Sequence, residues 1–423
     1  MERIFVIVIF FTTYFLIIRG KFKRSIVAFS AGMLIAMSKV IEGFKISNVG
    51  LYIDFNTIGL LIGMMIIVAI LRGTGFFEYV AISVVKISKG NVKLLFAFFI
   101  AMTALFSAFL DNVTVILLFS PILFLISDSL NISPTPLIFS AVLAANFGGT
   151  ATMIGDPPNI LIGSASGEGF LDFIYQLAPI VIMVLLFFAT FFNRKFVSKI
   201  RVQKSKLEHL MNLDASRVIT SKKDLIKSIS VFIGVIIAFV LHEQLDYEAA
   251  TIALTGAAAA MLLSGKDFSE LAEDIEWDTI FFFIGLFMLS YGLKAVGITD
   301  MVSGVIARAY TNEVLLYSLI LWLTAGLGGL IGAVPIVTVM IPIVKNLISI
   351  HGIPDDVWWV LSIGACFGGS ATLTGAAANM VGTALLEKHT RKGVGFRKYL
   401  RFALFPTVVS LILGNIYVIV RYG

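Results

Sequence analysis

The stretch FGGTATMIGDPPNILIG, residues 147–163, decides how this chain must be read. It sits between apolar flanks that would form one membrane crossing, yet Gly148, Gly149, Gly155, Pro157 and Pro158 break a helix in several ways. Glycine loses backbone entropy on becoming helical, and proline removes a donor and clashes with the preceding turn. Unwound backbone is tolerated at membrane depth only where protein or a water-filled cavity satisfies it. The stretch recurs as FGGSATLTGAAANMVGT at 367–383, with Gly368, Gly369 and Gly375 in register and apolar flanks again on either side. That recurrence argues against a misplaced loop and for an internal repeat.

Composition places the repeat in a bilayer. The chain has 423 residues, of which 58% are hydrophobic and only 14% charged. A soluble domain of this length cannot hide so much apolar surface. Apolar runs of about 17–25 residues indicate a polytopic helical membrane protein, because helices satisfy their own backbone groups in lipid. Spans are expected near 4–18, 25–41, 54–71, 135–165, 172–193, 228–241, 248–264, 277–294, 357–386 and 402–420. The first run has no cleavage pattern and reads as a retained span. Two further apolar pairs, about 92–127 and 314–349, are interrupted near the middle and read as re-entrant hairpins.

Loop charge sets the orientation. RGKFKR (19–24), KISKGNVK (86–93), the segment 194–227 and KHTRKGVGFRKYLR (388–401) are basic, whereas GEGFLD (167–172), HEQLDYE (242–248) and HGIPDD (351–356) carry no Lys or Arg. The positive-inside rule puts the basic set in the cytoplasm. GKDFSELAEDIE (265–276) falls on the same side despite its acidity, and acidic residues carry little topological weight. The net charge of +6 therefore belongs to short loops facing a bilayer and gives no sign of nucleic-acid binding. One cysteine, Cys366, rules out an internal disulfide and a cysteine-based metal site. It reads as a small buried hydrophobe. His209, His242, His351 and His389 are read as loop residues and make no ligand set.

The repeat extends beyond the opening stretch. NTIGLLIG (56–63) matches DTIFFFIG (278–285), LRGTGF (71–76) matches LKAVGI (293–298), and LAPIVIMVLL (177–186) matches LFPTVVSLIL (404–413). Each half, 1–193 and 228–423, then holds five spans and one hairpin, joined by the basic linker 194–227. An odd number of spans per half inverts the second copy, the architecture of secondary transporters with a site near the midplane. The expected fold is thus an all-α polytopic membrane protein of two inverted-topology repeats: about ten transmembrane helices, two re-entrant hairpins and two broken helices.

The halves differ where chemistry is expected. Aligning Pro121 with Pro342 sets Asp111, Asn112 and Thr114 against Gly332, Ala333 and Pro335, and Asp156 against Ala376. Both carboxylates belong to the first half. Thr150, Thr152 and Asn159 accompany them, and the second half contributes Ser370, Thr372, Thr374 and Asn379. Intramembrane carboxylates are costly and mark ion or proton pathways. Helix capping is the structural alternative for Asp111 and Asp156. Arg72, Lys294 and Lys39 read as side chains snorkelling to the interface.

DNVTVILLFSPI, GGTATMIGDPPNILIG and GGSATLTGAAANMVGTALLEKH together resemble the arsenite-permease branch of the ion transporter superfamily, under the broader citrate-transporter-like domain. That branch includes melanosomal P-protein-like permeases and is similar to D-type sodium–proton antiporters. The resemblance implies a scaffold of spans and a mobile unit of hairpins and broken helices. Related sodium-coupled dicarboxylate carriers bear a Ser-Asn-Thr motif at each hairpin tip. Here the tips read Asp111-Asn112-Val113-Thr114 and Gly332-Ala333-Val334-Pro335, which favours coupling through one carboxylate-bearing site. The expectation is a non-enzymatic, multi-pass carrier of the cell membrane that couples H+ or Na+ to a small ion or metalloid such as arsenite. A sodium–proton antiporter and a sodium-coupled anion carrier are the rivals. No cofactor is expected. The bilayer is the expected partner, with room for a homodimer and a soluble ATPase subunit.

Overall fold

The computed structural model describes residues 2–41, 44–200, 211, 214–309 and 312–423. Among these residues every regular element is a helix. The expected spans appear as Glu2–Arg19, Arg24–Met37, Phe55–Arg72, Phe170–Lys195, Lys222–Val240, Ala249–Ser264, Trp277–Ala295 and Phe396–Tyr422. Each interrupted hairpin is a helix pair, Val92–Ser107 with Asn112–Leu130 and Glu313–Ile331 with Ala333–His351. Each broken span is also a pair, Pro134–Gly149 with Pro157–Ser166 and Val357–Gly369 with Ala377–Thr390.

Seven of the described helices are long and apolar enough to cross a membrane. Three of these, Asn112–Leu130, Glu313–Ile331 and Ala333–His351, lie in the hairpins, so helix length does not by itself make those hairpins re-entrant. Two helices went unread in the sequence, Phe76–Ile87 and Ile298–Ala309, which follow the matched LRGTGF and LKAVGI segments. Both are short and amphipathic. Phe77, Ala81 and Val85 bury one stripe of the first, and the polar remainder hides the helix from a search for apolar runs. The histidines are also placed differently than expected. His242 opens a short helix, and His351 and His389 lie in the last turns of theirs; His209 is outside the described residues.

Packing interlocks the halves. Arg24–Met37 lies along Trp277–Ala295, and its counterpart Ala249–Ser264 lies along Phe55–Arg72. Ala377–Thr390 packs on Asn112–Leu130 and Pro134–Gly149, while Pro157–Ser166 packs on Ala333–His351 and Val357–Gly369. The second segment of each broken span therefore completes the other half. Of the linker 194–227, residues 201–210 and 212–213 lie outside the described residues. Its end is pinned to the turn after Phe55–Arg72, where the Thr220 amide and hydroxyl donate to the carbonyls of Thr74 and Gly73, both at 3.2 Å.

Glycine is required where the first arm of each hairpin meets the broken span. A methyl group at Gly148 would overlap the Ala104 backbone, and one at Gly368 would overlap Ala325. Gly234, in contrast, faces open space within Lys222–Val240. Gly148→Ala is expected to cost about 1–3 kcal/mol through overpacking. Gly234→Ala should be neutral or gain up to about 1 kcal/mol from helix propensity. Thermal unfolding of the two purified variants in detergent checks this difference.

Candidate ion and solute site

The two unwound stretches, 150–156 and 370–376, are tied in the same way. Thr152 and Thr372 donate their hydroxyls to Ala108 and Gly329, carbonyls near the tip of the hairpin in their own half. Asn159 donates to the carbonyls of Thr150 and Thr152, at 3.0 and 2.9 Å. Asn379 donates to those of Gly369 and Thr372, at 2.9 and 2.6 Å. Both asparagines are fully buried. Thr150 and Ser370 donate one turn back, to Asn146 and Cys366. Thr374 reaches the Leu330 carbonyl and the Thr372 hydroxyl. These expected site hydroxyls thus satisfy backbone that lipid could not.

The two carboxylates are bonded differently. Asp111 caps Asn112–Leu130, accepting from the Thr114 amide at 2.9 Å. Asp156 holds the cap position of Pro157–Ser166 but makes no cap bond. Pro157 and Pro158 have no N–H to offer it. Its carboxylate turns instead to Asn112, whose Nδ2 donates at 3.0 Å, and is only 5% exposed. Ala376 has a similar extended backbone in the second half without the charge, and Gly332 replaces Asp111 with φ +111, a region that favours glycine.

Sequence reasoning missed Asn146, a lone amide within the apolar helix Pro134–Gly149. It accepts from Asn112 at 3.1 Å and donates to Asn379 at 2.8 Å, joining the two halves. At the matching place in the repeat stands Cys366, whose thiol points to Asn159 Oδ1 at 3.5 Å beside the Ser362 hydroxyl at 2.6 Å. Cys366 is buried, as expected, and is also part of a polar network. Arg72, read as a snorkelling side chain, is paired with Asp274.

Asp111, Asn112, Asp156, Pro157, Pro158 and Gly375 line one cavity of about 80 Å³. Arg24 and Glu276 line it too; in the sequence both counted only as loop charge, at the ends of RGKFKR and GKDFSELAEDIE. Glu276 has a legible counterpart in Asp54. Each precedes its helix and accepts from a threonine hydroxyl, Thr279 at 2.9 Å and Thr57 at 2.6 Å. Arg24 reaches the second break, donating to the Thr374 carbonyl at 3.0 Å. Two wider crevices flank this centre. One, of about 530 Å³ beside Lys21 and Lys23, shares Arg24, Thr279, Phe282 and Ala377 with the cavity. The other, of about 370 Å³, is lined by acidic residues including Glu168 and Glu243.

Asp156, buried, and Asp111, half-buried, thus share one cavity beside the unwound stretches, and sequence comparison supplies the family. Residues 14–364 match the model of the CitMHS citrate transporter family. The chain belongs to that family. An uncharacterised transporter of Mycobacterium tuberculosis is 37% identical, covering 98% of each chain. The human P protein is 28% identical over 93% of this chain and 56% of its own length. The YdaH transporter of Alcanivorax borkumensis, with a crystal structure of unusual topology, shares the fold at a TM-score of 0.59 and 14% identity, covering 86% of this chain and 84% of its own. The chain is therefore a multi-pass membrane transporter of the citrate transporter family.

Two outcomes follow for this family member. Asn379→Ala strands the Gly369 and Thr372 carbonyls, each costing about 1–3 kcal/mol when buried without a partner, so the melting temperature should fall well below wild type. At the acidic crevice, partial burial and the neighbouring Asp172, Asp355 and Glu243 raise the Glu168 carboxyl above its usual range. The folded protein then holds a proton the unfolded chain has lost, so this contribution weakens as pH rises through that interval. Glu168→Gln should raise the melting temperature near neutral pH, with the gain vanishing below about pH 4. Melting curves across pH check the sign.

Proposed function

We propose that the protein is a proton-coupled secondary transporter of the cell membrane, with Asp156 as the principal coupling carboxylate and Asp111 beside it. One observation carries this reading: Asp156 is buried at a proline-started helix where no cap bond uses it, and its amide partner Asn112 is neutral. A carboxylate held by neutral donors can load and release a proton, whereas one locked to a cation cannot. The halves act as inverted repeats, with the hairpins and broken spans moving as a unit against the remaining helices. The cargo is small, in keeping with the cavity of about 80 Å³, and a neutral metalloid hydroxide of the arsenite type can hydrogen-bond to the Asn112 amide, the Thr279 hydroxyl and the carboxylates that line it.

Arg24 favours a second reading. Among the described residues it is the one cationic side chain lining the cavity, and it suits a carboxylate-bearing anion. The family's citrate transporter description supports the same substrate class. Reconstituted vesicles with an imposed pH gradient separate these readings. Arsenite should move with the proton gradient and without sodium, and Asp156→Asn should lower that flux by at least about tenfold, as loss of a coupling group does. Proton-driven flux that survives Asp156→Asn removes the coupling role. Saturable carboxylate uptake in place of arsenite flux selects the second reading, and sodium-dependent proton release alone selects a sodium–proton antiporter.

A further inference from the structure

The path between Asp156 and the second helix break runs through three amides. Asn112 spends both Nδ2 hydrogens, one on Asp156 Oδ1 at 3.0 Å and one on Asn146 Oδ1 at 3.1 Å. Asn146 donates to Asn379 Oδ1 at 2.8 Å, and Asn379 donates to the carbonyls of Gly369 and Thr372 in the second break. The three amides are at most 2% exposed. Each has a fixed sense, since the carboxylate at one end and the carbonyls at the other accept only.

We infer that Asn146 is a positioning residue that transmits the proton state of Asp156 to the second helix break. This rests on the reading that Asp156 carries the coupled proton. An ionised Asp156 demands the donor of Asn112 and holds the chain as observed. A protonated Asp156 brings an O–H that needs an acceptor. Rotation of the Asn112 amide supplies its oxygen and withdraws the hydrogen from Asn146. Asn146 is then released from its fixed sense, and with it the tie to Asn379. The amide rotation is the two-state element that such coupling requires. Other titratable or charged groups face Asp156 from the packed elements: Asp111 at the hairpin tip, Glu276 and Arg24 across the cavity, and the Cys366 thiol from Val357–Gly369.

Sequence supplies a natural substitution, because the repeat carries Cys366 where the first half carries Asn146. Arsenite transport into vesicles is measured across pH for wild type, Asn146→Cys, Asn146→Ala and Asp156→Asn. In the Asn146 variants the ratio of acid to alkaline rates should shrink by at least about fivefold while KM at alkaline pH stays within about threefold, the scale of an ordinary coupling energy. An equal loss of rate at every pH gives Asn146 a merely structural role and overturns the inference. Asp156→Asn separates the two readings. If it keeps the wild-type profile, the coupling role of Asp156 falls. If it flattens the profile while Asn146→Cys does not, only the relay falls. A second measurement needs no Asn146 variant. After correction for intrinsic exchange, backbone hydrogen exchange at 369–376 should quicken on acidification in wild type and lose that response in Asp156→Asn. A wild-type response independent of pH overturns the relay.

Discussion

Backbone carbonyls unwound at membrane depth must find donors inside the protein, because lipid supplies none. The rest of the structure depends on that constraint. Each break is closed by one asparagine that gives both amide hydrogens to carbonyls of its own loop, Asn159 in the first half and Asn379 in the second. Each is also tied by a threonine hydroxyl to its hairpin, from Thr152 to Ala108 and from Thr372 to Gly329. Once these bonds are made, the hairpin tip and the break form one unit. The close approach at Gly148 and Gly368 follows, since a side chain at either place would hold the two apart.

On that shared frame the halves diverge. The cap position before the second helix segment is Asp156 in one and Ala376 in the other, with similar backbone. The amide beside the break is Asn146 in one and a thiol, Cys366, in the other. The scaffold requirement is therefore met without either the carboxylate or the amide. What Asp156 adds is a carboxylate that makes no cap bond: two prolines remove the first two donors, and the Asn159 amide goes to the Asp156 carbonyl instead. Asp111, in contrast, is engaged as the cap of its helix.

Much of this was legible in the sequence, for identifiable reasons. Glycine and proline within apolar runs mark a break wherever it falls, and the same residues in register twice mark a repeat. Asp111, Asn112 and Asp156 stood out as polar groups among apolar neighbours, and the structure gathers them in one cavity. Phe76–Ile87 and Ile298–Ala309 were hidden because an amphipathic helix of three turns has neither a long apolar run nor an isolated charge. Glu276 and Arg24 were hidden by their charged surroundings in the chain, and only folding brings them to the cavity. Asn146 was hidden by its neutrality, since one amide in an apolar helix carries no signal until its partners are known.

The unpredicted residues also fix how the cavity meets its surroundings. Arg24 belongs both to the central cavity and to the crevice beside Lys21 and Lys23, and its guanidinium grips the Thr374 carbonyl of the second break. The crevice on the acidic side is lined in part by Met153 and Ile160 and by neither Asp111 nor Asp156. In this conformation the central cavity shares its lining with the crevice on the basic side. A solute entering there meets Lys21, the Lys23–Asp278 pair and Arg24 before the carboxylates of the cavity. Electrostatics at the mouth and at the floor of the site thus select against each other, and a small neutral solute avoids the conflict altogether. A charged cargo would need Arg24 or the carboxylates to change their partners as it passes.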